Sequence, residues 1–293
     1  MVVSSRTVYA CSRMLLTLTA TSLRSMLKPG RSGRPKLELL DLPAFARQTL
    51  GLHGLNLSTK QLAGMDHSGL EEIRERGDKE GCACLLLFEP EPQPLGSADA
   101  SEAEAACDRA MRVVEAASIL GCNSAAITPL ADGSDESLDR TAEALKRVMA
   151  RAERRELNIL ISPGNGRTKT PERVTALLKK VGGFRVGTMP DFGAAAAADD
   201  PAAYLRRLTP YATVVTAATG AFTSPGGGPP DKFLDAPLEH KSYALRPMVE
   251  AVLSVGFDGT MAVDYRGRGD STLGIQRSRA ILERLIEDVV GKK

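Results

Sequence analysis

The chain has no tryptophan, and Phe, Tyr and Trp together make up 4% of its 293 residues. A platform that stacks nucleic-acid bases or cradles sugar rings needs several exposed aromatic faces, so neither is expected here. Histidine is as scarce: His53, His67 and His240 are the whole supply, and none stands at zinc-finger spacing from a cysteine. The five cysteines (Cys11, Cys82, Cys84, Cys107, Cys122) are an odd number in a long chain, which argues against a disulfide framework and for a reducing, cytoplasmic setting. Cys82 and Cys84 flank one alanine on an apolar strand and read as two core thiols facing the same side. No apolar run is long enough to span a bilayer, and a formal charge of +2 with 25% charged residues gives no pull toward nucleic acid or membrane.

Acidic residues are missing before Glu38, while Arg6, Arg13, Arg24 and Lys28 precede it, an imbalance that imitates a transit peptide. The alternation of Leu16, Leu18 and Ala20 with Thr17, Thr19 and Thr21 has the period of a strand instead, and a first strand is the preferred reading.

What is present is an alternation of strands and helices. Strands are expected over 15–20, 53–57, 83–88, 124–128, 158–162, 185–189, 212–217 and 260–264. Helices are expected over 42–50, 68–80, 98–120, 135–155, 201–208, 245–255 and 273–289, with one more opening at Thr170-Pro171 and stopping at Gly182-Gly183. Ser68 followed by Glu71 resembles a capping box. Gly164-Asn-Gly166 lacks the spacing of a phosphate loop and reads as a turn. Eight strands, each followed by a helix through short connections, specify an α/β protein of the (β/α)8 TIM-barrel class, with residues 1–293 forming one domain.

Barrel enzymes carry their chemistry at the C-terminal ends of the strands. Those positions are Asn56, Glu89, Thr128, Ser162, Asp191, Thr216 and Asp264. Asp191 and Asp264 end strands six and eight, separated by one strand, and can reach a common ligand; Asp191 can also cap the turn that follows it. Arg266-Gly-Arg-Gly-Asp-Ser-Thr272 follows strand eight and opens the last helix, where barrels often hold phosphate, so Arg266 and Arg268 are candidate ligand contacts. Arg31, Arg34 and Lys36 lie in the adjoining first loop. His240, in a long loop over the mouth, is a further candidate. No Ser-His-Asp order or nucleophile elbow is visible, so acyl transfer has little support.

Three segments carry a resemblance: Leu177 to Gly193 around Val186-Gly-Thr-Met-Pro-Asp191, Leu208-Thr-Pro-Tyr211, and Val255 to Tyr265. Together they resemble the sugar phosphate isomerase/epimerase family, the xylose isomerase-like TIM barrels, from about residue 37 onward. The resemblance implies a divalent metal (Mg or Mn) held by Glu, Asp, His and Glu from successive strands, polarising a sugar carbonyl while acid/base residues move a proton. This chain departs from that pattern. Ser162 stands where the family has Glu after strand five, Thr216 where it has His on strand seven, and Ala218 where it has a nearby Lys. Asp264 replaces the strand-eight Glu, and Asn56 a Glu often found on strand two.

Each change lowers the negative charge or the ligand field, and Glu to Asp alone withdraws a carboxylate by roughly 1.5 Å. Metal binding is therefore expected to be weak or absent, with Asp191 and Asp264 as residual ligands. Two functions follow as expectations. One is a sugar or sugar-phosphate isomerase or epimerase using Asp191, Asp264 and Glu89 as catalytic carboxylates and Asn56, Ser162, Thr216, His240, Arg266 and Arg268 as substrate contacts. The other is a carbohydrate-binding or regulatory homologue without turnover. The partner in either case is a small sugar or sugar phosphate, not nucleic acid or membrane, and the oligomeric state is left open.

Overall fold

A computed structural model describes residues 14–30, 33–162, 170–225 and 237–291. Its barrel strands are β1 (Leu16–Thr19), β2 (Gly54–Ser58), β3 (Ala83–Phe88), β4 (Ser124–Ile127), β5 (Asn158–Ile161), β6 (Val186–Thr188) and β7 (Val214–Thr219). A short antiparallel hairpin of β8 (Phe222–Thr223) and β9 (Glu239–His240) then precedes the last barrel strand, β10 (Thr260–Tyr265).

The eight parallel strands run in the order β6-β5-β4-β3-β2-β1-β10-β7. The two outer strands meet through isolated parallel bridges, Thr188 to Ala212 and Asp191 to Thr216, and through the Thr216 N–H, which donates to the Pro190 carbonyl at 2.8 Å. This seam demands small residues. A Cβ on Gly187 would lie 2.3 Å from the Tyr211 carbonyl oxygen, so any side chain there would push the 3₁₀ turn Thr209–Tyr211 off β6.

Burial splits into two apolar layers, as a closed barrel requires. Inside it, Leu86, Ala126, Leu160, Met189, Val214 and Ala262 form a separate plug with Phe88 against it. Outside the strands, the larger core joins Leu18, Leu55, Leu87, Ile127, Ile161 and Val263 to the inner faces of the helices. Cys82 and Cys84 are buried and free, as core thiols should be.

Most elements fall within two residues of the expected bounds, and the differences have local causes. The helix His67–Glu80 is capped by Asp66, whose Oδ1 accepts from the Gly69 N–H at 3.0 Å, so Ser68 already lies inside it and the expected Ser68/Glu71 box does not form. A capping box forms instead between Ser58 and Gln61. The chain turns through 209–211 before β7, which starts at Val214 rather than 212. The expected helix over 42–50 is an α-turn, Leu42–Ala44, followed by a π-turn, Phe45–Thr49. The short helix Phe192–Ala196 and the β8–β9 hairpin have no clear period in the sequence. The Gly164-Asn-Gly166 turn and Arg31 lie outside the described residues.

Candidate active site

At the C-terminal ends of the strands lies a cavity of about 760 Å³. Polar groups reach it from around the barrel: Thr19, Asn56, Glu89, Thr128, Ser162, Asp191, Thr216 and Asp264. Leu86, Met189 and Ala262 of the inner plug form apolar lining beneath them. The volume lies in the range of small-molecule sites, and a largely buried polar ring over an apolar base suits a small polyhydroxylated ligand.

Asp191 and Asp264 are both brought to this cavity, 8% and 6% exposed, and both are already partnered. Asp191 caps the helix Phe192–Ala196, its Oδ1 accepting from the Ala194 N–H at 2.8 Å. Asp264 Oδ1 accepts from Ser22 Oγ at 3.3 Å, and Ser22 Oγ in turn accepts the Tyr265 N–H at 2.8 Å. Between the two carboxylates stands Arg266. Its Nε donates to Asp264 Oδ2 at 2.8 Å, its Nη1 to Asp191 Oδ1 at 3.2 Å, and its Nη2 pairs with Oδ2 of both.

Burial pushes the Asp264 carboxyl above its ordinary value, and the adjacent guanidinium only partly counters it. For Arg266 burial works toward neutrality, but the two carboxylates outweigh it and the guanidinium is held charged. Of the two arginines expected as ligand contacts, Arg266 lines the cavity while also bound to the two carboxylates. Asp270 caps the last helix through the Leu273 N–H at 3.1 Å, putting a negative charge where a phosphate would sit. Arg268 is exposed and is not among the cavity's lining residues, though its carbonyl accepts from Tyr265 Oη at 3.2 Å.

Glu89 is 3% exposed and held from three directions. Arg109 reaches its Oε2 with Nε at 2.7 Å and Nη2 at 2.6 Å, Thr59 Oγ1 donates to the same oxygen at 3.1 Å, and the Glu91 N–H donates to Oε1. Asn56 gives its amide N–H to Thr17 Oγ1 at 2.9 Å, leaving its buried Oδ1 without a partner among the described residues. A buried acceptor left without a donor costs stability.

His240 is placed differently from the other candidates. Its Nε2 accepts the Gly220 N–H at 2.8 Å and its Nδ1 donates to the Tyr243 carbonyl at 2.9 Å, fixing the neutral Nδ1–H tautomer. The ring also packs edge-on to Phe222 and Tyr243, so it clamps the hairpin to the barrel rim and is not among the residues lining the cavity. Ser22, Thr17, Thr59 and Arg109 were not found in the sequence. Ser22 and Thr59 lie just beyond strand ends, a position that could have signalled them, whereas Thr17 lies within β1 and Arg109 reaches Glu89 from the middle of the helix Ala100–Ile119.

Among the described residues, no three His, Cys, Asp or Glu side chains converge in a way that could hold a metal ion. No helix among them is long and apolar enough to cross a membrane.

The parallel barrel with a polar cavity at its C-terminal mouth defines a (β/α)8 TIM-barrel protein. The chain belongs to the xylose isomerase-like TIM barrel family, whose model matches residues 45–285. No curated protein matches it by sequence. Among solved structures it is similar to an L-ribulose 3-epimerase (14% identity, TM-score 0.74, covering 95% of this chain and 96% of that one). It is also similar to 3-keto-D-glucoside 4-epimerase from E. coli in its apo form (14%, 0.68, 92% and 99%). A third is a xylose isomerase-like TIM barrel protein from Mycobacterium smegmatis in complex with magnesium (16%, 0.66, 94% and 98%). At these identities the likeness is one of fold.

Proposed function

We propose that the protein acts on a small, unphosphorylated carbohydrate as a sugar isomerase or epimerase whose metal site is weakened. The observation that carries this reading is the ring of strand-end polar groups, Asn56 among them, around one sugar-sized cavity. The epimerases among the similar structures support the reaction class. Asp270 at the helix N-terminus favours a ligand without phosphate.

The residues present do not fit a tightly held divalent ion. A metal site of this kind needs several free oxygen or imidazole ligands, but Ser162 and Thr216 supply only hydroxyls and Asp191 and Asp264 are engaged by Arg266. Isomerisation and epimerisation both require a base that takes the proton from the carbon beside a carbonyl. The proton returns either to the neighbouring carbon or to the opposite face. Asp264, with its raised pKa, and Glu89 are the carboxylates in this role, and hydroxyls of Ser162 and Thr216 orient the sugar.

The test is a panel of pentuloses and hexuloses, with and without phosphate, incubated with the protein in D₂O and followed by NMR. Solvent deuterium entering a free ketose beside its carbonyl supports the reading. Binding by calorimetry without deuterium entry selects the non-turnover, carbohydrate-binding homologue. Absence of binding to every sugar at millimolar concentration overturns both.

A further inference from the structure

Two carboxylates, Asp264 on β10 and Asp191 in the segment after β6, meet at a single atom. Nη2 of Arg266 lies 2.7 Å from Asp264 Oδ2 and pairs also with Asp191 Oδ2. Oxygens from separate elements converging on one cationic point are what a divalent ion would require of the same side chains. The guanidinium and an ion would thus compete for the same oxygens. Arginine has the advantage of being covalently tethered, two residues beyond Asp264, and it cannot lose its charge.

The surroundings are shaped for it. A Cβ on Gly193 would lie 2.9 Å from Nη1 and 3.0 Å from Asp191 Oδ1, so the chain leaves room at the point where the guanidinium meets Asp191. Ser22 fixes the far oxygen of Asp264 and leaves Oδ2 turned to the arginine. All three side chains line the cavity, and Arg266, 49% exposed against 12% for Asp191 and 8% for Asp264, presents the largest accessible part to it. Its Nη1 carries a second hydrogen that these contacts do not use.

We propose that Arg266 is the resident cation of this site, its guanidinium taking the place of a divalent metal ion and excluding one. It supplies fixed positive charge and an N–H donor to a ligand oxygen, where a metal would supply an open coordination position. Only this last, ligand-directed part rests on the carbohydrate reading above; exclusion of metal stands on the geometry alone.

The experiment is Mn²⁺ titration of the full chain without carbohydrate, with free Mn²⁺ followed by electron paramagnetic resonance. R266M keeps the bulk and removes the charge, and is expected to bind Mn²⁺ at least about tenfold more tightly than wild type, a difference of about 1.4 kcal/mol. D191N in the R266M background should abolish the gain. S162E/T216H should gain little while Arg266 remains and more once R266M is added. Equal Mn²⁺ affinity in wild type and R266M, or a folded R266M with no gain, overturns the proposal.

A second readout needs no variant to fold. The Arg266 Nε–H resonance of the wild-type protein should be unaffected by Mn²⁺ at concentrations well below millimolar, and paramagnetic broadening there would show that an ion does enter, against the proposal. Because neither readout contains sugar, their failure leaves the deuterium test of the proposed function intact, and the reverse also holds.

Discussion

Arg109 holds Glu89 through two nitrogens on one oxygen, Nε at 2.7 Å and Nη2 at 2.6 Å from Oε2, so a helix in the outer ring of the barrel fixes a carboxylate at its mouth. The carboxylate end is buried while the arginine is 42% exposed, which makes the pair asymmetric: the glutamate depends on its partner far more than the arginine does. Replacing Arg109 with Ala leaves a buried charge supported only by Thr59 and a backbone N–H, and should cost on the order of 2–4 kcal/mol. Urea unfolding of R109A, E89Q and the double variant measures it. E89Q/R109A should recover a substantial part of the loss; a double variant as unstable as the sum of the singles would mean that the pair is not coupled.

The His240 clamp makes the hairpin sensitive to acid. Burial, the larger influence, holds the imidazole below its ordinary value of 6.5, while its bond to the Tyr243 carbonyl works the other way. With a folded value below the unfolded one, the unfolded state binds more protons in the interval between them, so stability is retained at pH 7 and falls as pH drops below about 6.5. Protonation would also place a donor at Nε2 against the Gly220 N–H. Protection of the Gly220 N–H, its exchange rate compared with the intrinsic rate at the same pH, should therefore fall between pH 7 and 5 in wild type, and H240Q should flatten that dependence. An exchange rate that follows only the intrinsic pH dependence would count against the clamp.

The cysteines should be inert in the native state. Burial pushes the Cys82 and Cys84 thiols up to about 12, and Cys107 and Cys122 are raised by the same cause. Thiolate is the reactive form, so iodoacetamide at pH 8 should leave these four unlabelled until urea is added. Mass spectrometry of the peptides reports each site. Rapid native labelling of Cys82 and Cys84 would show a reactive pair in place of two core thiols.

The seam between β6 and β7 should be the mutational weak point of the sheet. At Gly187 an added methyl meets the Tyr211 carbonyl, a backbone atom that cannot swing aside. G187A is expected to destabilise by about 1–3 kcal/mol, the range of a forced overpacking. G64A, in open space but at φ +83°, should cost less, roughly 1 kcal/mol, since it carries only the strain of the left-handed backbone. Thermal melts that rank the two in the opposite order would show that the turn over 209–211 yields to the seam.

The sequence by itself determined the order of the barrel. Short apolar runs such as Ala83–Phe88 and amphipathic helices such as Pro201–Leu208 are local patterns, and local patterns survive in one dimension. It also placed Asn56, Ser162, Asp191, Thr216 and Asp264 at strand ends, and a parallel barrel brings every strand end to one mouth whatever the loops do. What the tertiary structure decided was the direction of long side chains. Arg266 read as a ligand contact in a basic loop and does line the cavity, but no local pattern showed that its guanidinium is held between Asp191, 75 residues away, and Asp264. Arg109 gave no signal, because its role depends on which oxygen lies within about 3 Å, and no spacing rule encodes that. His240, half a hairpin from Gly220, became a clamp for the same reason. Backbone periodicity is written along the chain, whereas the partner of a buried charge is chosen only when distant segments close around it.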